Sequence, residues 1–181
     1  MLGDTFEIRR LGPEDISLYR SLRMFALQES PRSFGETPAE ESSIALPVLQ
    51  QRFSQDPHSA CVMGAFRVGQ AGSLGGIAAY WRCPGAKQRH RAWIWGVFVL
   101  PELRRLGLGD RLLRVVIDHS RTVPGLEVLR LSVGAHNTAA QALYLRHGFR
   151  RIGTEPKSFL VNGQFVDEES MALDLVDSGQ A

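Results

Sequence analysis

One apolar segment in the middle of the chain restricts the fold more than any other. Residues Ala92–Leu100 read AWIWGVFVL and are followed directly by Pro101. A nearly continuous run of aromatic and β-branched residues is typical of a central strand covered on both faces. Gly96 lies inside the run, and a glycine within a strand often marks a bulge or a place where another group approaches the backbone. The segment therefore predicts a sheet with a disturbed strand at its centre.

Segments with strand and helix patterns are mixed along the rest of the chain. A helix is predicted to begin at Gly12, and residues 30–46 are predicted to form a loop. Gly69-Gln70-Ala71-Gly72 is a hairpin signal between two predicted strands. The remaining predicted strands are 5–11, 61–68, 74–82, 129–133, 149–153 and 165–175, and the remaining helices are 48–53, 107–121 and 137–147. This order predicts an α/β (α+β) fold with a largely antiparallel sheet.

Length and composition exclude several classes of protein. The 181 residues, 44% of them hydrophobic, suit one compact domain over 1–181 with a core at about 5–175. No apolar run is long enough for a membrane span, and the first residues lack the pattern of an export signal. The two cysteines are too few for a disulfide framework. We therefore expect a reduced, cytoplasmic protein with no membrane partner.

The charge of the chain is unevenly distributed. Residues 82–151 contain 13 Arg and Lys against 4 Asp and Glu, a net charge of +9, whereas the other residues contain 8 against 15, a net of −7. A basic centre indicates contact with an anion, although solvated surface charge is an alternative. A nucleic-acid-binding module is a second alternative, but no recognised binding motif accompanies the basic residues, and we expect no nucleic-acid partner. The arginines that such a module would use are Arg104, Arg105, Arg146, Arg150 and Arg151.

A basic turn with two glycines follows the apolar strand and leads into an amphipathic helix. It reads RRLGLG over Arg104–Gly109. Backbone N–H groups at a helix N-terminus are unpaired, and glycines let a bulky anion approach them. The turn is not a Walker A loop, because Asp110-Arg111 replaces the Lys-Ser/Thr pair, and Leu112 replaces the third glycine of a dinucleotide fingerprint. The pattern therefore predicts a pyrophosphate site of another kind.

A second segment, 131–149, combines a strand, a helix that starts at an asparagine and a Gly-Phe exit. The two motifs are V-x-V-x-P-x-x-R-R-x-G-x-G-x-x-L-L over 97–113 and N-x-x-A-x-x-L-Y-x-x-x-G-F over 137–149. Together they closely resemble the signatures of the GNAT superfamily of acyl-CoA-dependent N-acyltransferases. Residues 163–171 resemble the closing strand of many bacterial members, so the resemblance covers most of 5–175. It implies a mixed, mostly antiparallel sheet of six to seven strands, flanked by helices, with central strands splayed to hold CoA.

The resemblance also implies an activity and a cofactor site. The activity is transfer of an acetyl group from acetyl-CoA to a primary amine of a small molecule or peptide, by direct attack in a ternary complex. Main-chain groups near Val97 would bind the pantetheine arm and the reaction's oxyanion, and Asn137 would bind the arm as well as cap its helix. Tyr144 would be the general acid for the CoA thiolate, with a core aromatic as the alternative. The implied acetyl-CoA site consists of Val97, Phe98, Val99, Arg104, Arg105, Leu106, Gly107, Leu108, Gly109, Asp110, Asn137, Ala140 and Tyr144.

The general base is the point at which the sequence departs from the family pattern. Trp93 stands where many members carry a glutamate. A sensor that binds acyl-CoA without turnover is therefore an alternative. The bases left open are His90, Glu36, Glu40, Asp167, Glu168 and a water chain. The residues predicted to contact the acceptor are Phe34, Glu36, Trp93 and Trp95, of which the two tryptophans share a strand face.

The sequence also bears on metal binding and on oligomeric state. The histidines His58, His119, His136 and His147 lack the spacing of metal ligands, so we expect no metal site. The sequence is compatible with a monomer or a homodimer.

Overall fold

The computed structural model describes residues 5–70 and 72–176. Ala71 of the predicted hairpin turn and both ends of the predicted domain lie outside these ranges. The described helices are α1 (Ile16–Glu29), α2 (Pro38–Ser43), α3 (Leu46–Ser54), α4 (Leu108–Arg121) and α5 (Thr138–Arg146). The described strands are β1 (Phe6–Arg10), β2 (Ala60–Arg67), β3 (Leu74–Arg82), β4 (Arg91–Val99), β5 (Val128–Gly134), β6 (Arg150–Val161) and β7 (Gln164–Asp174).

The strands form one seven-stranded sheet in the order β1-β2-β3-β4-β5-β7-β6. All neighbouring strands are antiparallel except β4 and β5, which are parallel. The prediction of a mixed, mostly antiparallel sheet flanked by helices is therefore confirmed. The apolar segment forms β4, which lies in the middle of the sheet.

Two apolar clusters cover the two faces of the sheet. On one face, α4 buries Leu112, Leu113 and Val116 against the strands. On the other face, α1 and α3 bury residues that include Tyr19 and Phe53, whose rings meet edge to face at 5.0 Å. Residues of β4 enter both clusters, which explains why the segment is apolar on both sides.

Two elements differ from the sequence prediction. The predicted loop 30–46 contains α2, which Thr37 and Glu40 start with reciprocal hydrogen bonds of a capping box, with Pro38 at the first helical position. The strand predicted to end at Gly153 continues to Val161 as β6. This strand lies at the edge of the sheet, so most of its side chains are exposed and its sequence lacks a buried apolar face.

Three further features of the described residues bear on the class of protein. No helix among them is both long and apolar enough to cross a membrane. Cys61 and Cys83 are buried and unpaired, and burial raises the pKa of Cys61 to about 12, which keeps its thiol protonated. No group of three or more His, Cys, Asp or Glu side chains within 5–70 and 72–176 is placed to hold a metal ion.

Candidate active site

Gly96 creates a bulge in β4. The pairing of β3 with β4 shifts so that Gly96 and Val97 together oppose Ala78, and Gly96 has φ +65°, a conformation that favours glycine. Because of the extra residue, the side chains before and after the bulge no longer follow one continuous alternation between the two faces of the sheet. Trp95 packs on the face of α1 and α3, whereas Val97 and Val99 both pack on the face of α4. The disturbance predicted at Gly96 is therefore present in the strand.

The two parallel strands at the centre of the sheet separate beyond a short paired stretch. β4 and β5 pair at only three positions, 91–93 with 128–130. Beyond them the facing backbone edges enclose a cleft of about 110 Å³. The residues lining this cleft are Ser33, Phe34, Ile94, Trp95, Gly96, Val97, Leu131, Ser132, Val133, Gly134, Asn137, Ala140, Leu143 and Tyr144. The separation leaves main-chain groups of Val97 available to a ligand that binds as a neighbouring strand would.

The N-terminus of α4 provides unpaired N–H groups beside the same strand. Gly107 has φ +75° and no side chain caps the helix. Among the described residues, no acceptor faces the N–H groups of Leu108, Gly109 and Asp110. A Cβ built on Gly107 would meet no atom within 4 Å, so the approach to these N–H groups is open. These features fit a phosphate group, which would accept hydrogen bonds there and lie at the positive end of the helix dipole.

The two arginines of the turn have different surroundings. The Arg104 guanidinium donates to both carboxylate oxygens of Glu29 on α1, at 3.0 and 2.9 Å, and to the Val99 carbonyl at 3.0 Å. This pairing holds the pKa of the Glu29 carboxyl below its usual range. Arg105 is exposed and adopts a positive φ of 65°. The structure therefore leaves Arg105 available to an anion, whereas Arg104 ties the turn to α1.

The other residues of the turn face in several directions. Leu106 is exposed, and Leu108 is buried in the core beneath α4. Asp110 accepts a hydrogen bond from His147 at the end of α5, with 2.9 Å between Oδ1 and Nε2. The contribution of this turn to a ligand therefore comes from its backbone and from Arg105. Phe98 points to the opposite face, where its ring packs against those of Phe25 and Phe34.

Asn137 caps α5 at the edge of the cleft. Its Oδ1 accepts a hydrogen bond from the Ala140 N–H at 3.1 Å, as predicted for an N-cap. The Asn137 Nδ2 group has no hydrogen-bond partner among the described residues. It can therefore donate to a ligand while Oδ1 caps the helix.

Substitutions at Asn137 should separate these two functions. We expect Asn137→Ala to lower the free energy of unfolding by about 1 kcal/mol, because the cap is lost, and to weaken acetyl-CoA binding. Asn137→Ser keeps a capping oxygen without the amide donors, so it should restore stability but not binding. Denaturant unfolding and calorimetric titration of acetyl-CoA measure the two effects. If Asn137→Ser bound acetyl-CoA as tightly as the wild type, Asn137 would act only as a cap.

Tyr144 lines the cleft from α5 and is otherwise enclosed by the core. Its ring meets that of Phe149 edge to face at 5.9 Å, and its side chain is buried. Burial raises the pKa of the Tyr144 hydroxyl well above its usual range. The hydroxyl is therefore protonated at neutral pH, which a proton donor requires.

Of the predicted acceptor residues, Phe34 and Trp95 line the cleft. Trp93 lies beside the cleft, paired with Trp81 of β3. Glu36 is occupied by an ion pair with Arg23 at 2.8 Å. The structure thus places Phe34 and Trp95 at the cleft, whereas the Glu36 carboxylate is paired with Arg23.

Three of the bases left open by the sequence are poorly placed for proton transfer. The His90 carbonyl accepts the N–H groups of Glu127 and Val128, which places His90 beyond the paired end of β4 and β5, away from the cleft. Glu40 is held in the capping box, and hydrogen bonds from Thr37 lower its pKa. Asp167 accepts the N–H of Lys157 at 2.8 Å on the exposed hairpin. Glu168, in contrast, is buried directly opposite Gly134 of the cleft.

Arg23 is not among the residues predicted to be functional, and it is almost fully buried, at 1% exposure. It pairs with Glu36, lies 3.7 Å from the buried Glu41, and stacks over the Phe34 ring at 4.6 Å. It therefore joins α1 to α2 and supports one wall of the cleft. The available signal was its position next to Leu22 on the buried stripe of α1, where a charged residue needs a partner.

Ion pairs and hydrogen bonds also occupy several arginines of the basic centre. Besides Arg104, Arg150 pairs with Asp174 at 2.8 Å and Arg151 donates to Gln141 at 2.7 Å. These pairings leave fewer free charges for a nucleic-acid backbone than the composition suggests. They weaken the alternative of a nucleic-acid-binding module.

Solved structures with the same architecture come from bacteria and plants. YncA from Salmonella typhimurium, solved with its cofactor acetyl-CoA, superposes with a TM-score of 0.81 at 18% identity over 98% of each chain. The ribosomal-protein-alanine N-acetyltransferase from Brucella melitensis gives 0.76 at 23% identity, covering 93% of this chain and 99% of its own. NAA60 from Arabidopsis thaliana, in complex with a bisubstrate analogue, gives 0.73 at 18% identity, covering 94% and 98%. At these identities the likeness shows the fold.

Comparison of the amino-acid sequence with models of protein families shows the family of this chain. No curated protein matches the chain significantly. The model of the acetyltransferase (GNAT) family matches residues 22–149, which include the cleft-lining parts of β4 and β5, the turn before α4, and α5. The chain therefore belongs to the GNAT family and is an acyl-CoA-dependent acetyltransferase.

Proposed function

We propose that the protein transfers the acetyl group of acetyl-CoA to a primary amine of a small molecule or peptide, by direct attack in a ternary complex. The observation that carries this proposal is the cleft between β4 and β5, with the open N-terminus of α4 at its side. A cleft between unpaired strand edges suits a thin chain with amide groups, and a free helix N-terminus suits a diphosphate. Acetyl-CoA combines both chemical features and supplies an activated acyl group as its thioester.

Each part of the cleft has a distinct task in this proposal. The main chain of Val97 and Val99 pairs with the amides of the pantetheine arm, and Asn137 donates to the same arm through Nδ2. The N–H groups of 107–110 hold the diphosphate, with the charge of Arg105 beside it. A main-chain N–H near Val97 stabilises the oxyanion, and Tyr144 gives a proton to the departing sulfur.

The acceptor enters from the face of α1 and α3. Phe34 and Trp95 line that opening of the cleft, and the Arg52 guanidinium lies over the Trp95 ring at 5.6 Å. Aromatic walls hold the carbon skeleton next to the amine without fixing one hydrogen-bonding pattern. This supports an acceptor that presents its amine on an apolar stem, as a lysine-like side chain or a peptide N-terminus does.

The experiment that tests this proposal measures release of free CoA from acetyl-CoA in the presence of separate amines. The panel contains polyamines, amino acids, aminoglycosides and N-terminal peptides, and calorimetry measures acetyl-CoA binding in parallel. We expect binding together with amine-dependent CoA release. Binding without release for every amine would favour the sensor that does not turn over. Absence of acetyl-CoA binding would contradict the proposal.

The position of the diphosphate is tested by a pair of arginine variants on α4 and its preceding turn. We expect Arg105→Gln to raise the Kd for acetyl-CoA about 10- to 100-fold, because loss of a hydrogen bond to a charged group costs about 1.5–3 kcal/mol. Arg121→Gln at the far end of α4 is the matched control, because Arg121 is paired with Asp118 and lies away from the turn. Equal effects of the two variants would exclude a specific contact at Arg105.

A further inference from the structure

Glu168 lies on β7, the strand that pairs with β5 on the side away from β4. It is the register partner of Gly134 on β5, and Gly134 lines the cleft. Side chains of antiparallel partners point to the same face with Cβ atoms about 5 Å apart. Gly134 has no side chain, and the His136 ring and the Arg32 carbonyl occupy the space where its Cβ would lie. Met171 and Leu173 of β7 belong to the core beneath α4, so alternation places Glu168 on the opposite face, the one occupied by Trp95.

Glu168 is a buried residue, at 9% exposure. Among the described residues, no Arg, Lys or His forms an ion pair with it. Its one side-chain partner is Ser158, whose hydroxyl donates to Oε2 at 2.8 Å. The irregular pairing of β6 and β7 between Glu155 and Phe159 brings Ser158 to this place. A buried carboxylate without a counter-charge is costly for stability, and such groups cluster at functional sites.

The polar and titratable groups around Glu168 come from three segments of the chain. Glu155 of β6 is its register partner on the other side. The His136 ring and the Arg32 carbonyl lie on the free side of Gly134, where a Cβ would meet them at 2.5 and 3.4 Å. Burial raises the pKa of Glu168, Glu155 raises it further, and the Ser158 hydrogen bond opposes them. Burial and the charge of Arg32 lower the pKa of His136, which favours a neutral ring at pH 7.

We propose that Glu168 is the general base that accepts the proton of the acceptor amine, an inference that rests on the proposed function. One N–H proton of the ammonium passes to the Glu168 carboxylate, which leaves a lone pair on nitrogen. The N–C bond then forms at the thioester carbonyl and the C–S bond breaks, with its electron pair on sulfur. The sulfur takes a proton from Tyr144, and the second proton shed by nitrogen returns to the tyrosine through solvent. The net products are the amide, free CoA and the proton held by Glu168.

The test compares Glu168→Gln with Glu169→Gln. Glu169 is the next residue of β7, faces the other side of the sheet and is hydrogen-bonded to Thr154, so its substitution removes the same charge without reaching the acceptor opening. We expect Glu168→Gln to lower kcat/KM about 10²-fold at neutral pH and to leave the acetyl-CoA Kd unchanged. The wild-type kcat/KM should rise with pH as the Glu168 carboxyl ionises, and Glu168→Gln should lack this rise. Glu169→Gln should behave as the wild type.

A third variant keeps the inference testable if Glu168→Gln fails to fold. Ser158→Ala removes a hydrogen bond that favours the carboxylate, so it raises the pKa of Glu168 and should move the rise in kcat/KM to higher pH. A merely structural role of Glu168 would not move this profile. If the wild type turns over and the profile is unchanged in Ser158→Ala or Glu168→Gln, Glu168 is not the base and the proposed function stands. If the wild type binds acetyl-CoA but acetylates no amine, both proposals fail.

Discussion

Replacing Tyr144 with phenylalanine should lower kcat about 10²-fold, within the usual range for loss of a general acid. The Kd for acetyl-CoA should stay nearly unchanged, because the phenyl ring still fills the core against Phe149. In the proposed reaction the hydroxyl gives a proton to the departing sulfur. Without it the thiolate must leave unprotonated or take a proton from solvent. Steady-state kinetics with a saturating amine and calorimetric titration of acetyl-CoA measure the two quantities.

Tyr80→Phe is the matched control for this substitution. Tyr80 is also a buried tyrosine, but its hydroxyl donates to the Pro57 carbonyl, away from the cleft. We expect Tyr80→Phe to lose stability from the missing hydrogen bond and to keep kcat. An unchanged kcat in Tyr144→Phe would leave Tyr144 as a core aromatic only. A comparable loss of kcat in both variants would indicate a general effect on the fold.

The largest effect on stability is expected at Arg23. Replacing it with methionine leaves the Glu41 carboxylate buried, at 3% exposure, without its neighbouring cation. Breaking a buried ion pair in this way costs about 3–5 kcal/mol. The stacking over Phe34 is lost as well, so the wall of the cleft loses its support. Denaturant unfolding of the variant and the wild type gives the difference in free energy.

A double variant identifies the cause of that loss. Arg23→Met together with Glu41→Leu replaces the pair with apolar side chains of similar size, an exchange that is often neutral or stabilising. We expect it to recover most of the stability lost in the single variant. If the double variant were as unstable as Arg23→Met alone, the loss would come from packing around Arg23 and not from the charge left on Glu41. Both variants lack the Arg23 guanidinium that stacks over the Phe34 ring. We therefore expect the KM for the amine to be higher than that of the wild type in both.

The sequence predicted the centre of this molecule better than its periphery. The run Ala92–Leu100 contains enough apolar residues to define a buried strand by itself, and Gly96 marks the bulge because positive φ is costly for other residues. The turn before α4 is also a local feature, encoded in adjacent residues. Both could therefore be predicted without knowledge of what packs against them.

Features that depend on distant partners could not be predicted in this way. The sequence contains no sign that Arg104 meets Glu29, because 75 residues separate them along the chain. β6 has exposed side chains and is defined by hydrogen bonds to β7, so its extent becomes visible only once the hairpin is formed. For the same reason the sequence left the base open among His90, Glu36, Glu40, Asp167, Glu168 and a water chain. Strand register is what places Glu168 opposite Gly134, and it becomes visible only in the folded sheet.

The separation of β4 from β5 has a consequence for solubility. An unpaired strand edge normally invites pairing with another chain and is a common origin of aggregation. Here two such edges lie in the middle of the sheet, between the cap of α5 on one side and the turn at Phe34 on the other. Because both edges belong to strands of the same sheet, another chain would have to insert between β4 and β5 to pair with them, whereas a free outer edge is open to addition. The protein can therefore keep open hydrogen-bonding edges for a thin ligand without exposing them to other proteins.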